Sequence, residues 1–215
     1  MAKRPVFIVI DAYPHVKIES TEFVYCGGFA RQQKKRCVNN LHEAYKKNNP
    51  GKKVLEVSRA SEEALGNALS AFNLMIKQKN GITYSVESAF QSAKCFEKGG
   101  PYKDILLKNS SEAKKDLRLK ESGALIGFQI SGMEFPLNPP TYFYDWLYVN
   151  ALNQHPEYHK KLLEFDAFTD IMFNPEKQIN CQAKSVAIFV SLYKTGMLKE
   201  ALKDRESFLK IVYGV

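Results

Sequence analysis

Glu87, Gln91 and Lys94 place an acid, an amide and an amine along one apolar-rich stretch, SVESAFQSAKCF (85–96). On a helix turning ~100° per residue they fall at about 0°, 40° and −20°, so they point the same way. Val86, Phe90 and Ala93 cluster to one side of them, which puts the polar stripe at the edge of a core. Desolvation there raises a carboxyl pKa and a nearby ammonium lowers it, the usual means of tuning a general acid or base. The same spacing also describes a solvated stripe on a surface helix, and periodicity alone leaves both readings open.

Two further groupings carry chemistry. TYFYDWLYVNAL (141–152) holds the single tryptophan, Trp146, among Tyr142, Phe143, Tyr144 and Tyr148. So many rings cannot all face inward on one helix, which leaves a ring edge to stack a planar base, although core packing is the commoner use of such rings. FDAFTDIMFNPEKQINCQAK (165–184) carries Asp166 and Asp170 in a loop or short strand, then Asn180 where a helix opens. The free amides of a helix N-terminus can hold phosphate. Other signals are weaker. In HPEYH (155–159), Pro156 breaks the H-E-x-x-H order and no third ligand is suggested, so these histidines read as surface groups and no metal is expected. Gly27-Gly28 and Gly99-Gly100 are turn signals outside any phosphate-cradling loop, and no G-x-S-x-G occurs.

The elements that must position these residues follow from pattern. PVFIVIDAY (5–13) reads as a buried strand, Phe29–Lys47 as a helix stopped by NNPG, and VLEVS (54–58) as a second strand, a β-α-β segment. A short helix opens at Ser61, AFNLMI (71–76) reads as extended, and KNG (79–81) turns the chain. Helices are then expected over 85–96, 111–121, 141–153, 156–165, 182–193 and 198–212, with a small hairpin at Ser131–Gly132. The class is α+β with helices dominating.

Charge divides the chain. The first sixty residues hold twelve Lys and Arg against five Asp and Glu, or +7 of the total +8. Clustered basic residues such as Arg31, Lys34, Lys35 and Arg36 attract polyanions through counterion release, so nucleic acid is a natural partner; a solvated helix face is the other reading. At 215 residues, with 45% hydrophobic side chains, the chain can bury a core without disulfide or metal staples. Cys26, Cys37, Cys95 and Cys181 form no C-x-x-C pair and no charged-then-apolar leader precedes the first strand. A reduced, cytoplasmic protein is expected, and no apolar run reaches the ~20 residues of a membrane span.

LSAFNLMIK (69–77) followed by YSVESAFQSAKCF (84–96) resembles the signature of the NADAR superfamily, with an L-S-N-F-like strand before an S-x-E-x-x-x-Q-x-x-K helix. Asp145-Trp146, the aspartate of FTDIMF (168–173) and the helix led by Asn180 follow in the family's order, and together cover about residues 61–196. The chain as a whole is similar to the long NADAR proteins encoded beside DarT-type toxins, which ADP-ribosylate guanine in DNA.

The resemblance implies a basic β-α-β segment, residues 1–60, packed on a helix-dominated NADAR domain, residues 61–215. It also implies an N-glycosidase that removes ADP-ribose from guanine without a cofactor, with ADP-ribosylated DNA as substrate and the cognate toxin as functional partner. Glu87, Lys94 and Asp170 match the family's catalytic positions; Trp146, Gln91, Asn180, Ser70 and Phe72 match substrate-binding ones. Ala71 and Phe173 depart from the family's usual Asn and Trp. Smaller NADAR proteins are associated with hydrolysing ribosylamino pyrimidine intermediates of riboflavin synthesis, a second reading, and a non-catalytic module binding ADP-ribosylated nucleic acid is a third.

Overall fold

The computed structural model describes residues 1–28 and 30–215, and of Arg31 the backbone alone. Phe29 and the Arg31 side chain, both named above, lie outside the described residues. In chain order the elements are β1 (Ala2–Val9), β2 (Val16–Phe23), α1 (Arg31–Asn48), β3 (Val54–Glu56), α2 (Ala64–Ala68), β4 (Met75–Lys77), β5 (Thr83–Ser85), α3 (Val86–Ser92) and β6 (Lys94–Phe96). A 3-10 turn (Lys103–Leu107) leads to α4 (Ser110–Lys114), α5 (Arg118–Glu121), β7 (Leu125–Ile130), β8 (Met133–Phe135) and α6 (Tyr142–Asn153). The chain closes with α7 (Pro156–Leu162), β9 (Ala167–Thr169), α8 (Gln182–Lys194), α9 (Leu198–Ala201) and α10 (Arg205–Tyr213). This is a mixed α/β protein, compatible with the α+β class.

The described chain divides into two compact units, one built from residues 1–70 and 155–215, the other from 71–154. The charge boundary expected near residue 60 does not coincide with this division.

In the first unit a four-stranded sheet runs β2-β1-β9-β3. β9 pairs antiparallel with β1 and parallel with β3, so a strand from late in the chain completes the N-terminal sheet. Alternation sorts its faces. Val6, Val54 and Ala167 cluster with Cys37, Leu41 and Tyr45, the i,i+4 stripe of α1. Phe7, Leu55 and Phe168 are buried on the other side, and α8 packs against β1 and β9. The strand β2 was absent from the sequence pattern because VKIESTEF interleaves charges with few apolar residues. It forms because β1 supplies an eight-residue antiparallel partner.

In the second unit, β4 and β5 form a hairpin and β6-β7-β8 a three-stranded sheet. Only Met75 and Ile76 of the stretch 71–76 are in a strand, which runs Met75–Lys77, and the helix expected over 85–96 ends at Ser92. Its continuation, Lys94–Phe96, pairs instead with β7, and the Gln129 N–H donates to Ala93 O at 2.7 Å. The expected Ser131–Gly132 hairpin is present between β7 and β8, with both turn residues at positive φ.

Because Phe168 is wholly buried at the centre of a three-residue strand, Phe168→Ala is expected to cost about 3–5 kcal/mol, read as a lowered denaturant midpoint.

Candidate active site

In the unit of residues 71–154, α3 begins at Ser85, whose Oγ accepts the Ser88 N–H at 3.0 Å. Ser110 Oγ, at the start of α4, lies 2.7 Å from Ser85 Oγ and 2.8 Å from Phe72 O, tying the helix start to the chain before β4. Every residue from Val86 to Ser92 is buried. The polar stripe is therefore not a solvated surface, since α3 is enclosed on all sides.

Within that enclosure Glu87 and Gln91 are each 6% exposed. Gln91 Nε2 donates to Glu87 Oε1 at 2.9 Å, and Lys114 Nζ stands 3.9 Å from the same oxygen. A carboxylate oxygen needs a donor, which orients the amide and turns Gln91 Oε1 away. That oxygen is buried and has no hydrogen-bond partner among the described residues, an acceptor left for a ligand's N–H or O–H.

Lys94 departs from the helical-wheel expectation because it lies on β6, beyond the end of α3. It nevertheless remains in the field of Glu87. Burial pushes its pKa below the ordinary lysine value; the Glu87 charge pulls it back up and Lys114 lowers it further. Its Nζ lies 5.0 Å from the Phe90 ring centroid. Desolvation and a neighbouring cation favour the neutral, nucleophilic form of a lysine, and the Glu87 carboxylate opposes them.

Trp146 is half-buried on α6, whereas Tyr142, Phe143, Tyr144 and Tyr148 are buried. The rings are thus mostly core, and the indole is the one with a free surface. It packs on Phe135, which packs on Phe143, which stacks on Phe90, so aromatic contacts link the indole to the ring under Lys94. Phe72 is half-buried, with Lys114 Nζ 5.3 Å from its centroid.

The other expected residues belong to the unit of residues 1–70 and 155–215. Ser70 is buried. Asp170 follows β9 and is 8% exposed; its Oδ1 accepts the Met172 N–H at 2.9 Å. Asn180 is half-buried one position before the N-cap of α8, which is Cys181 and makes no side-chain cap. Lys34 and Lys35 are half-buried on α1 and Arg36 is exposed; Lys35 meets Glu62 at 3.7 Å. His159, expected at the surface, is half-buried against Phe189 and Tyr193.

Three groups escaped the pattern. Lys114 carries no signal, being one lysine among many. Glu56 is 2% exposed, and burial and the Asp170 charge raise its pKa to about 8 against three opposing hydrogen bonds. Thr169 Oγ1 connects it to His42 Nε2 at 2.8 Å, and burial, then Lys46, lower the imidazole to about 4. A signal for Glu56 did exist, namely a lone acid in the strand VLEVS whose other residues are buried.

Across residues 2–215 the sequence matches the family of DarT1-associated NADAR antitoxins. The chain belongs to that family. Membership in this antitoxin family carries a functional pairing with a DarT toxin and extends the NADAR resemblance over the basic N-terminal segment. No curated protein matches the chain. Among the described residues of this NADAR chain no helix is long and apolar enough to cross a membrane, and no cluster of three or more His, Cys, Asp or Glu could hold a metal.

Glu87→Gln removes the charge that holds the Lys94 pKa up. Lys94 is then expected to acylate faster than in the parent at neutral pH, read residue by residue by mass spectrometry with a limiting amine reagent.

Proposed function

We propose that this NADAR antitoxin is an N-glycosidase that cleaves ADP-ribose from guanine in DNA and so reverses the mark of a DarT-type toxin. The observation that carries the reading is the enclosed Glu87–Gln91 pair beside a desolvated Lys94, in a chain whose family is paired with such toxins. Cleaving the bond between ribose C1 and an exocyclic nitrogen passes through an oxocarbenium-like transition state, which needs negative charge near the anomeric carbon and a proton for the leaving base. Glu87 supplies one carboxyl. Asp170 is assigned to the same reaction by its match to the family's late aspartate, and the catalytic domain is taken as residues 61–215.

In the covalent route the ribose ring first opens, the guanine N–H proton passing to the ring oxygen and C1 becoming an imine. The neutral Lys94 amine adds to C1, its two protons pass to the guanine nitrogen as the C1–guanine bond breaks, and the resulting lysine Schiff base is hydrolysed by water to free ADP-ribose and the amine. Gln91 Oε1 accepts from a ribose hydroxyl or base N–H, Trp146 stacks on a planar ring, and Phe72, Ser70 and Asn180 complete substrate contact. The excess positive charge of residues 1–60, which includes Arg31, Lys34, Lys35 and Arg36, serves the polyanionic substrate; a small riboflavin intermediate gains little from it.

Borohydride reduction during turnover of an ADP-ribosylated oligonucleotide is expected to leave an adduct on Lys94. Active enzyme without adduct would reduce Lys94 to an electrostatic clamp. Glu87→Ala is expected to lower the rate by about 10²–10⁴-fold and to abolish protection from the toxin; persistent protection would instead identify a sequestering module.

Lys34→Ala with Lys35→Ala is expected to weaken DNA binding and to flatten the plot of log affinity against log salt by about 0.7–0.9 per lost phosphate contact. An unchanged slope would return α1 to the role of a solvated face.

A further inference from the structure

Asp170 sits between two residues held by a single buried side chain. Glu56 Oε2 lies 2.6 Å from Thr169 Oγ1, and Glu56 Oε1 accepts the Ile171 N–H at 2.9 Å. Ser58 Oγ lies 2.5 Å from Oε1, and the parallel register sets Glu56 directly opposite Thr169. The turn that carries Asp170 is thus pinned on both flanks, and the Asp170 carboxylate accepts the Met172 N–H.

We propose that Glu56, as a neutral carboxylic acid hydrogen-bonded to Thr169 and Ile171, is the positioning residue that fixes Asp170 for glycosidic cleavage. The proposal rests on the assignment of Asp170 to that reaction.

Donor counting shows how the neutral acid fits. Oε1 already accepts from Ile171 and Ser58, so the acid proton resides on Oε2 and is donated to Thr169 Oγ1. The threonine hydroxyl then donates to His42 Nε2, 2.8 Å away. When Glu56 ionises, the chain must reverse, with His42 Nε2–H donating to Thr169 and Thr169 to Glu56. The titratable groups facing Glu56 are Asp170 from the turn after β9, His42 from α1 with Lys46 beside it, and Cys181 before α8. Burial leaves His42 neutral above about pH 4 and pushes the Cys181 thiol well up, so neither offers Glu56 a counter-charge. Ionising Glu56 then adds a second negative charge beside Asp170, and the turn must adjust.

Linkage gives the same sign. A Glu56 pKa raised to about 8 from about 4.3 in the unfolded chain contributes stability that is fully present below the unfolded value. That contribution is lost as pH rises through about 8.

Glu56→Gln reproduces the neutral acid, its carbonyl accepting where Oε1 does and its amide donating where Oε2–H does. It cannot reproduce the anion. With a guanine-ADP-ribosylated oligonucleotide as substrate, Glu56→Gln is expected to keep kcat near the parent at neutral pH and to remove the fall in kcat above about pH 8. Glu56→Ala is expected to lower kcat by up to about 10²-fold with little change in KM. Exchange of the Ile171 amide proton, followed by NMR, should stay slow in the Gln variant and quicken in the Ala variant.

Loss of activity in Glu56→Gln equal to that in Glu56→Ala, an alkaline limb that survives the Gln substitution, or an Ile171 amide indifferent to Glu56→Ala would each overturn the proposal. Asp170→Asn separates the two assignments. If that variant is fully active while the Ile171 amide responds as stated, the role given to Asp170 fails and Glu56 is only a clamp on the turn. If Asp170→Asn is inactive and the Glu56 variants change neither readout, the positioning role alone fails.

Discussion

An ionisable group taken out of water must find hydrogen bonds, an opposite charge or a different protonation state, and each compact unit of this protein meets that demand differently. In residues 71–154 the Lys94 amine loses hydration on the face of Phe90, and the Glu87 carboxylate restores part of what burial removes. In the other unit burial and the Asp170 charge raise the Glu56 pKa to about 8, and its carboxyl is hydrogen-bonded to Ser58, Thr169 and Ile171. The first solution lowers the pKa of an amine, and the second raises that of a carboxyl.

Both solutions require walls that short elements alone cannot build. The helix α3 has seven residues and β9 has three, lengths that are not stable in isolation. Serine hydroxyls and the packing of α4, α6 and the 3-10 turn hold α3; strands on both sides and the helix α8 hold β9. The residues assigned to chemistry therefore sit on elements that exist only because distant segments pack on them, which accords with a site that must be preorganised.

The family pairing with a DarT toxin gives this chemistry its setting. An antitoxin that acts by reversing a covalent mark needs access to a polyanion and a means of breaking an N-glycosidic bond. In the proposed function the charge of the first sixty residues is assigned to the first need, and the enclosed acid, amide and amine to the second. Gln91 is assigned to recognition in the same reading, because its orientation is set by Glu87 and its carbonyl oxygen is left without an internal partner among the described residues.

Much of this was legible before any coordinates. The strand around VFIV, the amphipathic α1 with its NNPG stop, the hairpin at Ser131–Gly132 and the α6 and α8 helices follow from local periodicity and turn chemistry, which neighbours in sequence suffice to specify. Residue types and spacing also drew attention to Glu87, Gln91, Lys94, Trp146 and the pair Asp166 and Asp170, and the family resemblance chose Asp170 between the two. What sequence could not decide was where α3 yields to β6, because Lys94–Phe96 follows its pairing with β7 over its helical register. Nor could it reveal that β9 lies between β1 and β3, since residues more than a hundred positions apart meet there. The proton on Glu56 belongs to the same class: a carboxyl's charge depends on how much water surrounds it and which charges face it, and only the folded chain sets either.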